Sequence, residues 1–131
     1  MGLIYLDACL VIYAVEMHPQ FYAPLQHAMA AAGGAQFAIS PLVKCECLVA
    51  PHKRSDPALL QRFESFFAQL VQLPIVEADF LQAAQLRARF GLRTPDALHL
   101  ACAQRHQCTA LWTNDARLHA ASFGLARDVV A

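Results

Sequence analysis

Leu3-Ile4-Tyr5-Leu6-Asp7-Ala8-Cys9-Leu10-Val11-Ile12-Tyr13-Ala14 is an almost unbroken apolar run with a single carboxylate in it. An ionised Asp held in such surroundings costs on the order of several kcal/mol unless a cation or hydrogen-bond donors compensate it. Asp7 therefore belongs where a strand ends. Ile4-Tyr5-Leu6 reads as a short strand covered on both faces, as in a parallel sheet, which shows continuous apolar character. The carboxyl ends of such strands are where ligands bind. An equally ordinary role for Asp7 is the N-cap of a helix beginning at Ala8, and the residues alone leave both open.

Working outward, Leu10 to Val15 reads as a short helix and Phe21 to Ala32 as a second, stopped by Gly33-Gly34. Gln36-Phe37-Ala38-Ile39 supplies the next strand. Ser40-Pro41 then opens a helix, with Ser as cap and Pro where its missing N–H does no harm, and Glu46 falls in its second turn. Asp56-Pro57 repeats the device ahead of a stripe of Leu59, Leu60, Phe63, Phe66, Phe67 and Leu70 at helical spacing, which is core or a subunit contact. Leu73 to Val76 reads as a third strand and Ala78 to Phe90 as a helix ended by Gly91. In Thr94-Pro95-Asp96, Thr94 is the expected cap and Asp96 sits in the first turn, where the helix dipole favours an anion. Thr109 to Thr113 reads as a fourth strand, Asn114-Asp115 as the turn into another helix, and Asp128-Val129-Val130 as an edge strand. Strands alternating with helices make an α/β domain with a mainly parallel sheet covered on both faces.

The 131 residues make one domain, and 57% hydrophobic against 15% charged residues is ample for a packed core. No apolar run reaches the roughly 18 residues of a membrane span, and Met1-Gly2-Leu3 has no basic segment of the kind that opens a secretion signal, so a cytoplasmic protein is expected. The cysteines (Cys9, Cys45, Cys47, Cys102, Cys108) are odd in number and sit in apolar or helical segments, as reduced thiols do. Zinc sets drawn from Cys45, Cys47 and His52, or from His99, Cys102, His106 and Cys108, match no common ligand spacing. Ten basic and ten acidic residues cancel, so no global field recruits a polyanion and any such partner is met locally.

Four acids share an address: Asp7 after the first strand, Glu46 in the helix after the second, Asp96 at a helix start, Asp115 after the fourth strand. In a parallel sheet Asp7, the Ser40 to Glu46 helix and Asp115 emerge at one carboxyl edge. Two like charges 4 Å apart repel by about 4 kcal/mol at an effective dielectric of about 20. A divalent cation resolves that repulsion, and an oxygen donor set suits Mg2+ or Mn2+. The chemistry such a centre implies is phosphodiester hydrolysis.

Tyr5-Leu6-Asp7, Ser40-Pro41 followed by Glu46, Thr94-Pro95-Asp96-Ala97-Leu98-His99-Leu100-Ala101, and Trp112-Thr113-Asn114-Asp115 leading to Leu118 together resemble a PIN domain, and within that group the VapC-type toxins of toxin–antitoxin pairs. The resemblance covers essentially the whole chain. It implies a PIN-like three-layer α/β/α sandwich over residues 1–131, with a short parallel central sheet. It also implies an Mg2+-dependent endoribonuclease in which Asp7, Glu46, Asp96 and Asp115 are catalytic and hold the metal, Asp7 and Asp96 foremost. Arg93, Thr113 and Asn114 are candidate substrate contacts. The implied partners are RNA, a small antitoxin that sets a basic side chain near the acids, and a second copy of the chain. One departure stands out: Cys9 occupies a position that usually carries Ser or Thr in this group, and a thiol is the weaker donor. His99, three residues after Asp96, is either a helper of that carboxylate or a packed helix histidine. The large apolar side chains Phe63, Phe66, Phe67 and Phe80 predict an exposed apolar patch. The rival reading is a PIN-fold module that grips RNA or protein without cutting.

Overall fold

In the computed structural model, which describes residues 2–131, five parallel strands form one sheet in the order β3-β2-β1-β4-β5. Met1, part of the N-terminal stretch read above, lies outside the described residues. The elements run β1 Leu3–Leu6, α1 Ala8–Val15, α2 Tyr22–Ala31, β2 Gln36–Ile39, α3 Pro41–Lys53, α4 Pro57–Phe67, β3 Val71–Gln72, α5 Glu77–Phe90, α6 Thr94–Arg105, β4 Ala110–Trp112, α7 Ala116–Ala121 and β5 Ala126–Arg127.

The quoted apolar run is the middle of the molecule. β1 pairs with β2 through Leu3, Ile4 and Tyr5 and with β4 through Ile4, Tyr5 and Leu6. A strand with neighbours on both edges and helices on both faces has no exposed side, and Tyr5 and Leu6 are accordingly sealed from solvent. From β1 the chain steps outward one way to β2 and β3, then returns past β1 to build β4 and β5 on the other side. Parallel crossovers are right-handed, so the reversal of direction sends α1–α4 to one face and α5–α7 to the other. The contacts agree: α1 packs on α2, α3 and α4, while α5 packs on α6 and α6 on α7. The reversal also leaves a crevice between the carboxyl ends of β1 and β4, where side chains of both strands face one another.

Local chemistry explains the boundaries, including those that differ from the sequence expectation. Helix α1 starts at Ala8 rather than Leu10 because the Asp7 carboxylate accepts the Ala8 N–H at 2.7 Å. Gly91, in the left-handed region at φ 70°, ends α5 by donating its N–H to the Arg87 carbonyl. The third strand is Val71–Gln72, not Leu73 to Val76. The Leu73 N–H makes the last bond to the sheet, at 2.8 Å to Ile39, and Pro74 has no N–H with which to continue. The freed Pro74 carbonyl instead accepts from Arg105 at 2.8 Å. The edge strand is likewise Ala126–Arg127 rather than residues 128–130, since the Asp128 carboxylate accepts the Val130 N–H and turns the chain out of the sheet. At α6 the cap is Arg93, one residue earlier than expected, because its carbonyl already accepts the Ala97 N–H. Ser40 does stand at the N-cap of α3, but its hydroxyl makes no capping bond and is turned elsewhere.

The α4 stripe is core: Phe63 and Phe67 are buried, so they do not contribute to the predicted surface patch. The exposed large apolar side chains include Val76, Phe80 and Leu81 at the start of α5. All five cysteines are free. Among the described residues no helix is long and apolar enough to cross a membrane. An ion pair with one buried partner ties α5 to α6: Arg105, itself exposed, grips the fully buried Asp79 carboxylate at 2.7 and 3.1 Å.

Candidate metal centre

The end of β1 delivers Asp7 to the crevice, and the ladder fixes its depth, since the Asp7 N–H still bonds the Trp112 carbonyl of β4. The residue is only 9% exposed and both carboxylate oxygens are engaged. Oδ1 accepts the Ala8 N–H, and Oδ2 accepts the Thr113 hydroxyl at 2.6 Å. These bonds provide the compensation that an anion in an apolar run requires, so Asp7 is at once the end of a strand, the cap of a helix and an acid in the crevice.

Thr113, the first residue past β4, is fully buried. Its hydroxyl donates to Asp7 and accepts the Asp115 N–H at 3.1 Å. That single oxygen therefore locks two acid-bearing segments together, and Thr113 is buried in this structure, not presented on the rim. Asp115 caps α7 by accepting the Arg117 N–H at 2.9 Å, and stays partly exposed.

Glu46 reaches the same edge from the second turn of α3. Its Oε1 lies 2.5 Å from Nε2 of His99, and the same nitrogen is 3.6 Å from Oδ1 of Asp7. Asp7, Glu46 and His99 each offer a ligand atom within 4.8 Å of one another, the one such cluster of metal-type ligands among the described residues. His99 is the functional residue that sequence reasoning assigned differently: although it follows Asp96 by one helical turn, its imidazole faces Asp7 and Glu46. The signal for it was Tyr5, whose hydroxyl, buried in the central strand, needed a distant partner. That hydroxyl lies 2.7 Å from Nδ1 of His99 and 2.7 Å from Oγ of Ser40. Burial holds the Tyr5 phenol well above its usual range, so it stays protonated.

Asp96 opens α6 beside this cluster, 7% exposed, with Arg93 donating to its Oδ2 at 3.2 Å. Burial pushes its carboxyl above the usual Asp range, the Arg93 bond works against that, and the negative charges of Asp115 and Asp7 push further. Asp96 thus feels Asp115 and Asp7, while Glu46 meets Asp7 across the imidazole of His99. Around the rim of the crevice Cys9 donates its S–H to Asn114 at 3.4 Å, and Asn114 donates to the Tyr13 hydroxyl at 2.7 Å. Burial, reinforced by Asp7, pushes the Cys9 thiol up to about 12, so in the metal-free protein it stays protonated at neutral pH. Arg93 and Asn114 are exposed.

The donor set fits a hard divalent cation. Asp7 and Glu46 offer carboxylate oxygens within ligand reach of one another, Asp96 lies near enough to feel the charges of Asp115 and Asp7, and the single nitrogen nearby is compatible with Mg2+ or Mn2+ chemistry.

The model of the PIN domain family matches residues 4–124. A search of curated protein sequences gave no match. Among solved structures, VapBC2 from Rickettsia felis bound to a promoter DNA fragment superposes with a TM-score of 0.79 at 18% identity, covering 95% of this chain and 97% of that one. A toxin–antitoxin complex from Klebsiella pneumoniae gives 0.78 at 23% identity, covering 95% and 96%. Mycobacterium tuberculosis VapC20, a sarcin–ricin loop cleaving toxin, gives 0.74 at 14% identity, covering 90% and 94%. These likenesses agree with the fold described above, and with the family match across nearly its whole length the chain belongs to the PIN domain family.

Proposed function

We propose that the chain is a metal-dependent endoribonuclease toxin of the VapC type, which hydrolyses RNA phosphodiester bonds at the crevice between β1 and β4 and is neutralised by a small antitoxin. The observation that supports this reading is the gathering around Asp7, with Glu46 in ligand reach of it beside His99 and with Asp96 near enough to feel the charges of Asp115 and Asp7. Folding has gathered mutually repelling carboxylates, which is unfavourable without a cation to receive them. Asp7, Glu46, Asp96 and Asp115 would hold Mg2+ or Mn2+, which when bound supplies an activated water and stabilises charge on the leaving oxygen.

The chain's own residues supply the rest. Thr113 fixes Asp7 and the Asp115 turn in a common frame. Arg93, exposed at the mouth of the crevice and bonded to Asp96, is placed to exchange that carboxylate for a substrate phosphate, which an Arg fork pairs with equally well. Asn114 lies on the same rim as a neutral donor. An antitoxin that presented an Arg would use the same complementarity in reverse, pairing with the acids where the cation sits. That similar solved structures are toxin–antitoxin complexes supports such a partner. The exposed Val76, Phe80 and Leu81 on α5 support a homodimer, to be checked by light scattering across a concentration series.

The deciding experiment is cleavage of single-stranded and loop RNA by purified, antitoxin-free protein in Mg2+ or Mn2+, with EDTA and Asp96→Asn as controls. Cleavage that stops in both controls is the expected result. Turnover unchanged in chelator overturns the metal mechanism, and RNA binding without turnover assigns the chain to the non-cleaving class.

A further inference from the structure

Ser40, Tyr5 and His99 come from three different elements, yet they form a buried line of hydrogen bonds that ends on Glu46. A cap at α3 needed only the Ser40 hydroxyl, which is turned inward instead. The central strand would pack as well with Phe at position 5. The imidazole of His99 is 1% exposed, an unusual place for a histidine with nothing to do. Three side chains that each forgo a simpler role do so for a common purpose.

Their partners dictate the hydrogens. Ionised carboxylates only accept, so the nitrogen of His99 that faces Glu46 and Asp7 must carry the hydrogen. On the other side of the ring Nδ1 meets the Tyr5 hydroxyl, which also meets the Ser40 hydroxyl, so two buried hydroxyls hold the imidazole while Nε2–H points at Glu46. The edge-on packing of the Tyr5 and His99 rings, 5.6 Å between centroids, fixes the plane in which Nε2–H points. The Glu46 side chain at the end of the line remains 36% exposed, so the line terminates on a carboxylate that solutes can reach.

We infer that His99 is a positioning residue: its Nε2–H, aimed by the hydroxyls of Tyr5 and Ser40, holds Glu46 beside Asp7 and so shapes the carboxylate pocket before a cation arrives. Free of that bond, a long Glu side chain next to the Asp7 carboxylate swings away from it. With it, the repulsion is met in advance by a donor that cannot move. Groups that orient ligating carboxylates in this way typically influence metal affinity about 10–100-fold. The inference rests on the metal-dependent reading above, and adds to it the line of residues that sets the affinity.

The test combines two measurements. In metal-free protein, nitrogen NMR of the histidine rings, with the His99 signals identified by their loss in His99→Gln, shows Nε2 carrying the hydrogen; a bare Nε2 overturns the inference. Calorimetric titration with Mn2+ then compares the natural chain with His99→Leu, His99→Gln and Tyr5→Phe, each checked for a cooperative melt. His99→Leu is expected to weaken Mn2+ binding by up to about 100-fold, Tyr5→Phe by about tenfold, and His99→Gln, whose amide places an N–H near the Nε2 position, by less than His99→Leu. Should His99→Leu fail to fold, Tyr5→Phe decides. Equal Mn2+ affinity in all folded variants overturns the inference while the metal reading stands. Tighter binding by His99→Leu overturns it too, because the ring would then be a competitor of the cation. Equal loss in His99→Leu and His99→Gln makes the ring nitrogen a ligand rather than a positioning group. If the natural chain itself binds no Mn2+, the proposed function falls and this inference with it.

Discussion

Replacing Thr113 by Val removes one hydroxyl and almost nothing else, in a fully buried place where the two side chains have nearly the same shape. The hydroxyl donates to an ionised carboxylate at 2.6 Å and accepts a backbone N–H at 3.1 Å. A hydrogen bond to a charged group contributes about 1.5–3 kcal/mol. The Asp115 N–H belongs to a partly exposed residue that water can reach, so its loss adds about 1 kcal/mol at most. The expected cost is thus about 3 kcal/mol. With an unfolding entropy near 2.1 cal/mol/K per residue, 131 residues give a fall in Tm of about 10 °C. Differential scanning calorimetry in EDTA measures it directly. The origin of the cost is separable, because in an Asp7→Asn background the lost bond is neutral and should be worth only about 1 kcal/mol. The double-mutant cycle should therefore show coupling of about 1–2 kcal/mol. A Tm change under about 2 °C, or strict additivity of the two substitutions, would refute the claim that Thr113 compensates the buried charge of Asp7.

Asp96→Asn should abolish cleavage yet raise the melting temperature of the metal-free protein at pH 7 by about a few degrees, measured with EDTA present. The sign follows from a carboxyl held above its unfolded value of 3.8: its ionisation opposes folding, so the natural chain gains stability as pH falls through the raised folded value toward 3.8, and a lower Tm for the variant contradicts this. For Asp79 the sign reverses. Burial works against its ionisation, but the Arg105 hydrogen bonds, with the Val76 N–H and the Arg105 charge, hold its carboxyl below 3.8. Its contribution is present above 3.8 and lost as pH falls through the lower folded value, so Asp79→Ala should cost about 2–3 kcal/mol at pH 7 and progressively less in acid, as read from urea melts; a cost that is flat with pH refutes it. Cys9→Ser should keep or raise RNA cleavage several-fold in an initial-rate assay, because a hydroxyl donates better than a thiol that is protonated at neutral pH in any case; a large loss in a folded variant gives Cys9 a different role.

The acids were legible in the sequence because each breaks a local pattern. Asp7 interrupts an apolar run, Asp96 follows Thr-Pro at a helix start, and Asp115 follows a strand, and the rule that ligands gather at carboxyl ends of parallel strands directs Asp7, the Glu46 helix and Asp115 to one edge. The elements whose boundaries shifted were those set by a single backbone group. Pro74 has no N–H for the sheet, the Arg93 carbonyl starts α6 a residue early, and the Asp128 carboxylate turns the chain out after β5. The neutral side chains of the centre were the least legible, for a physical reason. A carboxylate advertises its need for compensation wherever it stands in an apolar segment, whereas Tyr, Ser, Thr and His pass for ordinary core or cap residues until tertiary contacts give them partners. Helical spacing put His99 on the side of Asp96, but spacing describes neighbours on one helix. The partner that claims its imidazole, Glu46, lies on α3, brought over the sheet edge by the crossover that follows β2. The bonds of Thr113 were hidden in the same way, since the step from Trp112 to Asp115 shows a turn but not that its hydroxyl faces back to β1. A sequence thus discloses which charges must be compensated, and topology decides which neutral groups do so. The acid cluster can be found from one chain alone, while the Ser40, Tyr5, His99 and Thr113 bonds that aim it become visible only once β1, α3, α6 and β4 share an edge.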